Sequence, residues 1–321
     1  MQHCSEAKMT PVFVLGVPRS GTTLVRSVMC VLPGVYLPPD EFQLLSVILR
    51  PDFDLSNLRN ILEQSNFSGH MRRRGIWLSQ DELTTVSKHS TAAMAFQALV
   101  LQLAKKEGQH NLRYWGDKTP ENLFHLTEIF ETWPDARIVH VVRDPRDTVL
   151  SMKKSWGRSV LRGSVLWRDG LRAFRRQHHS GRTSQIYEIK YENLTNHTNT
   201  VLVELAAWLG VEFNPRMVEN FTSEERWSSS KATGIQNRSV QWKSALTPQE
   251  VLTIEQICYV EMQDAGYEPS TAGEAKEPPH IQLRLAKFFD AFRVVNAYAK
   301  ERGWAAAIAY KTRQWSISRK I

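Results

Sequence analysis

The stretch Pro11-Val12-Phe13-Val14-Leu15-Gly16-Val17-Pro18-Arg19-Ser20-Gly21-Thr22-Thr23 decides how the rest of the chain is read. Its first half, Pro11 to Val17, is a short apolar, β-branched run, which predicts a buried central strand. Gly16 to Gly21 then has the G-x-x-x-x-G spacing of a phosphate-cradling loop. From Thr22 to Val31, Leu24, Val25, Val28 and Met29 fall on one side, which predicts a helix that stops before Pro33-Gly34. Strand, tight loop and helix N-terminus make an anion site: backbone N–H groups converge, Gly16 and Gly21 permit close approach, and Thr22 and Thr23 add hydroxyl donors. The Lys that follows the second Gly in nucleotide triphosphatases is Thr22 here, and the positive charge sits earlier, at Arg19. With no apolar run ending in a Walker B carboxylate in evidence, a β/γ-phosphate and Mg²⁺ assignment loses its main supports.

Working outward, Ala136 to Val142 (ARIVHVV) predicts a second strand, followed by Arg143-Asp144-Pro145-Arg146-Asp147 and a helix through about Lys154. Asp144 suits the N-cap, Pro145 the first helical position, and Asp147 the acidic first turn. A third strand is expected at Gln185 to Ile189, leading into Lys190-Tyr191-Glu192-Asn193-Leu194, and then a helix from Thr198 to Leu209 that ends at Gly210. Strands alternating with helices predict an α/β fold with a central, mostly parallel sheet flanked by helices. The stretch from Leu37 to about Gln109 reads as helix and loop, with a basic Arg72-Arg73-Arg74 cluster and a periodic helix over Ala92 to Ala104. The expected organisation is a main domain over 11–268, a linker rich in Pro, Gly, Ser and Glu over 269–280, and a C-terminal helical extension over 281–321. In that extension a helix from about Ile281 to Arg302 sets Leu285, Phe288, Phe289, Phe292 and Val295 on one face and Arg284, Lys287, Arg293 and Lys300 mainly elsewhere. Such a stripe packs on the parent domain, on a second subunit of a homodimer, or on a surface.

Composition bounds the function. The 321 residues are 42% hydrophobic and 23% charged, which excludes disorder, collagen and coiled coil as the main architecture. A net charge of +8 favours a polyanionic partner such as a nucleotide, a sulfated or phosphorylated molecule, or an anionic surface. Cys4, Cys30 and Cys258 are far apart and include no C-x-x-C, so neither a disulfide framework nor a structural zinc site is expected. The N-terminus lacks a basic region followed by a long apolar run, which predicts a cytoplasmic protein, or a Golgi-lumenal one if an N-terminal anchor is missing. Five N-x-[ST] sequons, at Asn66, Asn193, Asn196, Asn220 and Asn237, carry weight only in that second case.

Pro-Arg-Ser-Gly-Thr-Thr after a short apolar strand resembles the sulfotransferases that use 3′-phosphoadenosine 5′-phosphosulfate (PAPS), closer to their carbohydrate and tyrosine branch than to the cytosolic one. The resemblance implies that Arg19, Ser20, Gly21, Thr22 and Thr23 hold the 5′-phosphosulfate, with Arg19 assisting departure of the bridging oxygen. Arg143 at a strand end and Ser151 eight residues on are similar to the family's 3′-phosphate site, where a guanidinium and a hydroxyl grip the phosphate. Gly116-Asp117-Lys118-Thr119-Pro120 is similar to the segment whose Lys reaches the transferring sulfonate, which makes Lys118 the candidate. The cytosolic branch's catalytic His stands two residues after that Lys, and here the place is Pro120. Leu37-Pro38-Pro39-Asp40-Glu41 resembles the acidic segment after the loop helix, so either Asp40 or Glu41 is the implied base. Tyr191 in KYENL resembles a segment near the nucleotide, and Arg238 opens a stretch (RSVQWK) similar to the late loop over the adenine and 3′-phosphate. Of the histidines, His125 is expected on the helix starting near Pro120, His178-His179 on the surface, and His140 within the core.

The function implied is transfer of the sulfonate from PAPS to a hydroxyl of a carbohydrate or small-molecule acceptor, with tyrosine also open, no metal required and no nucleic-acid partner. Two other classes stay open. A P-loop-type nucleotide kinase or hydrolase accounts for the first motif, and a noncatalytic polyanion binder accounts for the net charge and Arg72 to Arg74. Neither accounts for Arg143 together with Ser151.

Overall fold

A computed structural model describes residues 9–177, 181–218, 235–271 and 273–302. Along the chain run β1 (Thr10–Gly16), α1 (Thr22–Met29), β2 (Val35–Tyr36), α2 (Leu45–Ile48), α3 (Leu58–Gln64), α4 (Asn66–Arg73), α5 (Gln80–Ser87) and α6 (Ala92–Lys106). Then come β3 (Tyr114–Lys118), α7 (Leu126–Thr132), β4 (Arg137–Val142), α8 (Pro145–Trp156), α9 (Val160–Gln177), β5 (Ile186–Lys190), α10 (Tyr191–Asn196) and α11 (Thr198–Leu209). The series closes with α12 (Trp242–Ala245), α13 (Pro248–Asp264) and α14 (His280–Arg302).

The five strands form one all-parallel sheet in the order β2-β3-β1-β4-β5. β1 lies in the middle, paired from Thr10↔Tyr114 to Val14↔Lys118 on one side and from Val12↔Arg137 to Gly16↔Val141 on the other. Its residues alternate between two covered faces, which is why the run is apolar throughout rather than every second residue. Val12 and Val14 join Val25, Val28 and Met29 of α1 and Leu202 and Leu205 of α11 in an aliphatic core. Phe13 lies on the aromatic side, where its ring is 5.4 Å from Trp133, which in turn packs on Trp115 and Phe96. Ligands of open α/β sheets collect at the carboxyl ends of the strands. In this register those ends bring Gly16, Lys118 and Val141 onto adjacent strands.

The three expected strands and the helix ending at Gly210 are present, Gly210 closing α11 in the left-handed conformation at φ 67°. Two strands were not expected. β2 is only two residues long, and β3 (YWGDK) holds a glycine and two charged residues, a composition that strand propensity disfavours. Lys118, which lies in no strand or helix expected from the sequence, is the last residue of this fully buried strand. His125 is likewise not on a helix from Pro120: a 3-10 turn spans Pro120–Phe124, and His125 sits at the N-cap of α7.

The contacts divide the chain into two compact units, 1–142 with 173–237, and 143–172 with 238–321. The first holds the sheet. In the second, Arg146 pairs with Asp144 at 2.7 Å and Glu255 at 2.7 Å, all three nearly buried. Glu255 also accepts from the backbone N–H groups of Ser270 and Thr271, each at 2.8 Å, and from both hydroxyls. Burial works against its charge, yet these donors hold its carboxyl below the ordinary range. Farther on, Lys276 N–H donates to Gln256 O at 2.9 Å and Glu277 pairs with Arg168 at 2.6 Å and Arg172 at 3.2 Å, so Ser270, Thr271, Lys276 and Glu277 are each bonded to helices of this unit.

Candidate functional site

In the first unit the loop after β1 is shaped around two glycines. A Cβ on Gly16 would run into the carbonyl oxygen of Val141. Gly21 adopts φ 99°, and a Cβ there would strike the ring of Tyr191, with Cε2 2.9 Å away. Between them Arg19 adopts φ 74°, a left-handed conformation that costs a residue other than glycine about 1–3 kcal/mol and collects at binding sites. Ser20 is fully buried, and its hydroxyl has no hydrogen-bond partner among the described residues. Such an orphan costs about 1–3 kcal/mol unless a ligand completes it. Gly21 is also the N-cap of α1 and offers no side-chain acceptor, so the first N–H groups of α1 are uncapped by a side chain. Loop and helix start thus form a cradle suited to an anion, with the Ser20 hydroxyl and the first N–H groups of α1 as its donors.

The end of β3 delivers a cation to this cradle. Lys118, with its side chain 4% exposed, donates through Nζ to Glu41 Oε1 at 2.5 Å and to Thr23 Oγ1 at 3.3 Å. The segment carrying Glu41 is fixed from two directions. Arg26 of α1 donates to the carbonyls of Leu37 at 2.6 Å and Pro38 at 3.1 Å, and the N–H of Gln43 donates to Thr119 Oγ1 at 3.2 Å. The neighbouring Asp40 is bonded instead to Nδ1 of His70 on α4. Beneath Lys118, Asp117 is wholly buried and accepts from Asn122 Nδ2 at 3.0 Å. Burial lifts its pKa to about 6, against the opposing pull of Thr119, Asn122 and the Lys118 charge. Tyr191 closes the other side of the loop and donates its hydroxyl to Gln236 O at 3.3 Å.

The second unit carries a separate polar cluster. Arg143, 7% exposed, donates through Nη2 to the carbonyl of Arg238 at 2.5 Å, and its own carbonyl accepts from Trp167 Nε1 at 3.0 Å. Asp147, one turn on, accepts from the N–H groups of Val240 at 2.6 Å and Trp242 at 3.0 Å, which pins 238–242 onto α8. Burial raises the Asp147 pKa, while the Arg143 charge and these two bonds work the other way. Ser151 is half-buried on α8. One turn before it, Thr148 is fully buried with a hydroxyl that has no partner among the described residues. The Trp242 ring is covered by the Arg146 guanidinium at 4.1 Å and is occupied within the unit.

The expected site residues therefore fall into two groups. Ser20, Gly21, Thr22, Thr23, Lys118, Glu41 and Tyr191 lie in the first unit, with direct contacts joining Lys118 to both Thr23 and Glu41. Arg19 belongs to the same loop, and Asp40 adjoins Glu41 but is engaged by His70. Arg143, Ser151 and Arg238 lie in the second unit, with Arg143 bonded to Arg238. His140 is a core residue, bonded to Glu188 at 3.0 Å and stacked on Phe174 at 3.6 Å, and His125 pairs at 3.9 Å with Glu128. His178 and His179 lie outside the described residues. Sequence reading missed His70, Asp117 and Thr148, and read Asp147 only as a helix-start acid. Asp117 and Thr148 adjoin quoted motifs and could have been weighed there, whereas nothing around His70 signals its partner.

A model of the sulfotransferase family matches residues 11–215. Among curated relatives, a protein-tyrosine sulfotransferase 1 from Danio rerio is 31% identical over 45% of this chain and 35% of its own length. Nodulation protein NoeE from Sinorhizobium fredii is 26% identical over 45% of this chain and 31% of its own. The chain spans about a third of the length of the curated relatives it matches. Among solved structures, the sulfotransferase domain of the Synechococcus PCC 7002 olefin synthase covers 80% of this chain and 98% of its own at 19% identity, with a TM-score of 0.56. The sulfotransferase domain from the curacin biosynthetic pathway covers 81% and 99% at 16% identity, with a TM-score of 0.58. Both share the fold.

Proposed function

Because the chain belongs to the sulfotransferase family, we propose that it transfers a sulfonate group from PAPS to a hydroxyl of a carbohydrate or small-molecule acceptor. The observation that carries the reading is the meeting of Lys118 Nζ with Thr23 of the anion cradle and with the Glu41 carboxylate. Cation, anion-binding loop and base are the three groups that sulfonyl transfer asks of a protein. When bound, PAPS supplies the sulfonate, whose sulfur–oxygen bond to phosphate breaks as the acceptor oxygen bonds to sulfur.

The chain's residues do the rest. The Ser20 hydroxyl, orphaned and buried, and the N–H groups opening α1 bind the phosphosulfate end, and Arg19 neutralises charge on the departing phosphate. Arg143, Ser151 and Arg238 bind the 3′-phosphate. Glu41 takes the proton from the acceptor hydroxyl, and Lys118 orients Glu41 and offsets the negative charge around the transferring group. Glu41 is preferred over Asp40 because Glu41 is held by Lys118 beside Thr23, whereas Asp40 is bonded to His70. None of these roles calls for a metal ion. The name of the Danio rerio relative adds a tyrosine hydroxyl to the acceptors worth testing.

Calorimetric titration with 3′-phosphoadenosine 5′-phosphate, beside ADP and ATP with and without Mg²⁺, tests the donor. Metal-independent binding that needs the 3′-phosphate and weakens about a hundredfold in Arg143→Ala is expected. Preference for Mg²⁺-ATP overturns the assignment. With labelled PAPS and a panel of sugars, small alcohols and a tyrosyl peptide, Glu41→Gln and Lys118→Met should each lower kcat about 10²–10³-fold while leaving donor binding in place. Unchanged turnover in Glu41→Gln would transfer the base role to Asp40.

A further inference from the structure

Helix α14 is tied to its own unit by its polar side. Asp290, 4% exposed, accepts from the Ser159 N–H at 3.1 Å and the Ser159 hydroxyl at 3.2 Å, and it pairs with Arg162 at 2.9 Å. Asp290 follows Ile281 by nine residues and so points about 180° away from it on a helix. Ile281, Leu285, Phe288, Phe289 and Phe292 recur at i, i+4, i+7, i+8 and i+11 and form one stripe. They are 63%, 50%, 69%, 55% and 54% exposed. A helix that packs on its parent for stability buries the apolar stripe and shows the carboxylate, and α14 does the reverse.

Charge identifies what covers the stripe. Arg284 and Lys287 are exposed on the same helix, and residues 281–321 hold nine of the 41 Lys and Arg but only Asp290 and Glu301 of the 33 Asp and Glu. This stretch therefore carries +7 of the net +8, and residues 1–280 are nearly neutral. Three exposed phenylalanines beside a concentrated positive charge match an interfacial helix on an anionic bilayer leaflet. Pairing with a second copy would also cover the phenylalanines, but it would bring two stretches of +7 together. No helix among the described residues is long and apolar enough to cross a membrane, so the contact lies along the surface.

We propose that α14 docks the protein on an anionic lipid surface, with the Ile281–Phe292 stripe among the acyl chains and Arg284 and Lys287 at the headgroup phosphates. The test is flotation of the full chain with vesicles of phosphatidylcholine alone and of phosphatidylcholine with phosphatidylglycerol. Binding at least about tenfold stronger to the anionic vesicles, weakened by added salt, is expected. The triple variant Phe288→Ser, Phe289→Ser, Phe292→Ser and the double variant Arg284→Glu, Lys287→Glu should each lose that binding with an unchanged Tm, since the side chains are exposed. Equal binding to both vesicles, or none, overturns the proposal on the unaltered chain without recourse to any variant. So does full binding by either variant, or a dimer seen by sedimentation that the serine variant breaks apart.

Discussion

At the scale of single residues, the site is built from side chains whose burial conflicts with their polarity. Lys118 resolves the conflict through Glu41 and Thr23, whereas Asp117 resolves it partly by holding its proton, its pKa lifted by burial to about 6 from an ordinary 3.8. Below about pH 4 the carboxyl is protonated both folded and unfolded, so it contributes no pH dependence there. Between about pH 4 and 6 the unfolded chain gives up a proton that the folded protein keeps, so the group lowers stability as pH rises, and the penalty is complete above about 6. Asp117→Asn preserves an acceptor for Asn122 and removes the charge. Urea unfolding across this range should show the variant gaining on the parent with rising pH, by up to about 3 kcal/mol at neutrality. A constant difference between the two proteins at all pH values would show that Asp117 ionises as freely folded as unfolded. The sequence could not reveal this, because a Gly-Asp-Lys triplet carries no signal that its charges lie inside a sheet.

At the scale of elements, β1 and β4 were legible because each is apolar on both faces and enters a helix through a polar loop, and β5 because its short run leads straight into the polar start of α10. β3 was not, since its place is set by pairing with β1 and not by its own composition. That one omission hid the most informative fact about Lys118, its position at the end of a strand paired with β1, within reach of Thr23 after the β1 loop. The loop itself was legible down to its glycines, but the reason for Gly21 was not: it lies against Tyr191, 170 positions later in the chain. Gly21→Ala meets both the left-handed backbone and the Tyr191 ring, so a loss of about 1–4 kcal/mol is expected, together with loss of donor binding. Adding Tyr191→Ala should relieve the collision while leaving the backbone cost, so calorimetry would show donor binding only partly restored. A single variant that binds donor like the parent would mean that the loop has room that these contacts deny it. For the proposed base the sequence left Asp40 and Glu41 open; in the structure the two have different partners, His70 for Asp40 and Lys118 for Glu41, both remote in sequence.

At the scale of the whole molecule, the two units are interleaved in the sequence: the chain leaves the first after Val142, returns at Ala173 and leaves again after Asn237. Arg143 and Arg238 each stand at the first position after a departure, which a linear reading of 11–268 as one stretch did not anticipate. β5 pairs with β4 from Ile138↔Ile186 to Val142↔Lys190, although residues 143–172 between them belong to the other unit. The interleaving bears on biosynthesis. As the polypeptide emerges from the ribosome, β4 keeps an open, apolar strand edge until β5 has followed it out, and such edges recruit other chains. Chains halted at residue 182 should associate with nascent-chain chaperones and succumb to protease, whereas chains halted beyond residue 237 should be protected over the sheet. Equal protease resistance of the two would mean that β4 is shielded by something other than β5. The pace of translation between these two points thus becomes a determinant of yield, and synonymous codons there a lever on how much active protein a cell obtains.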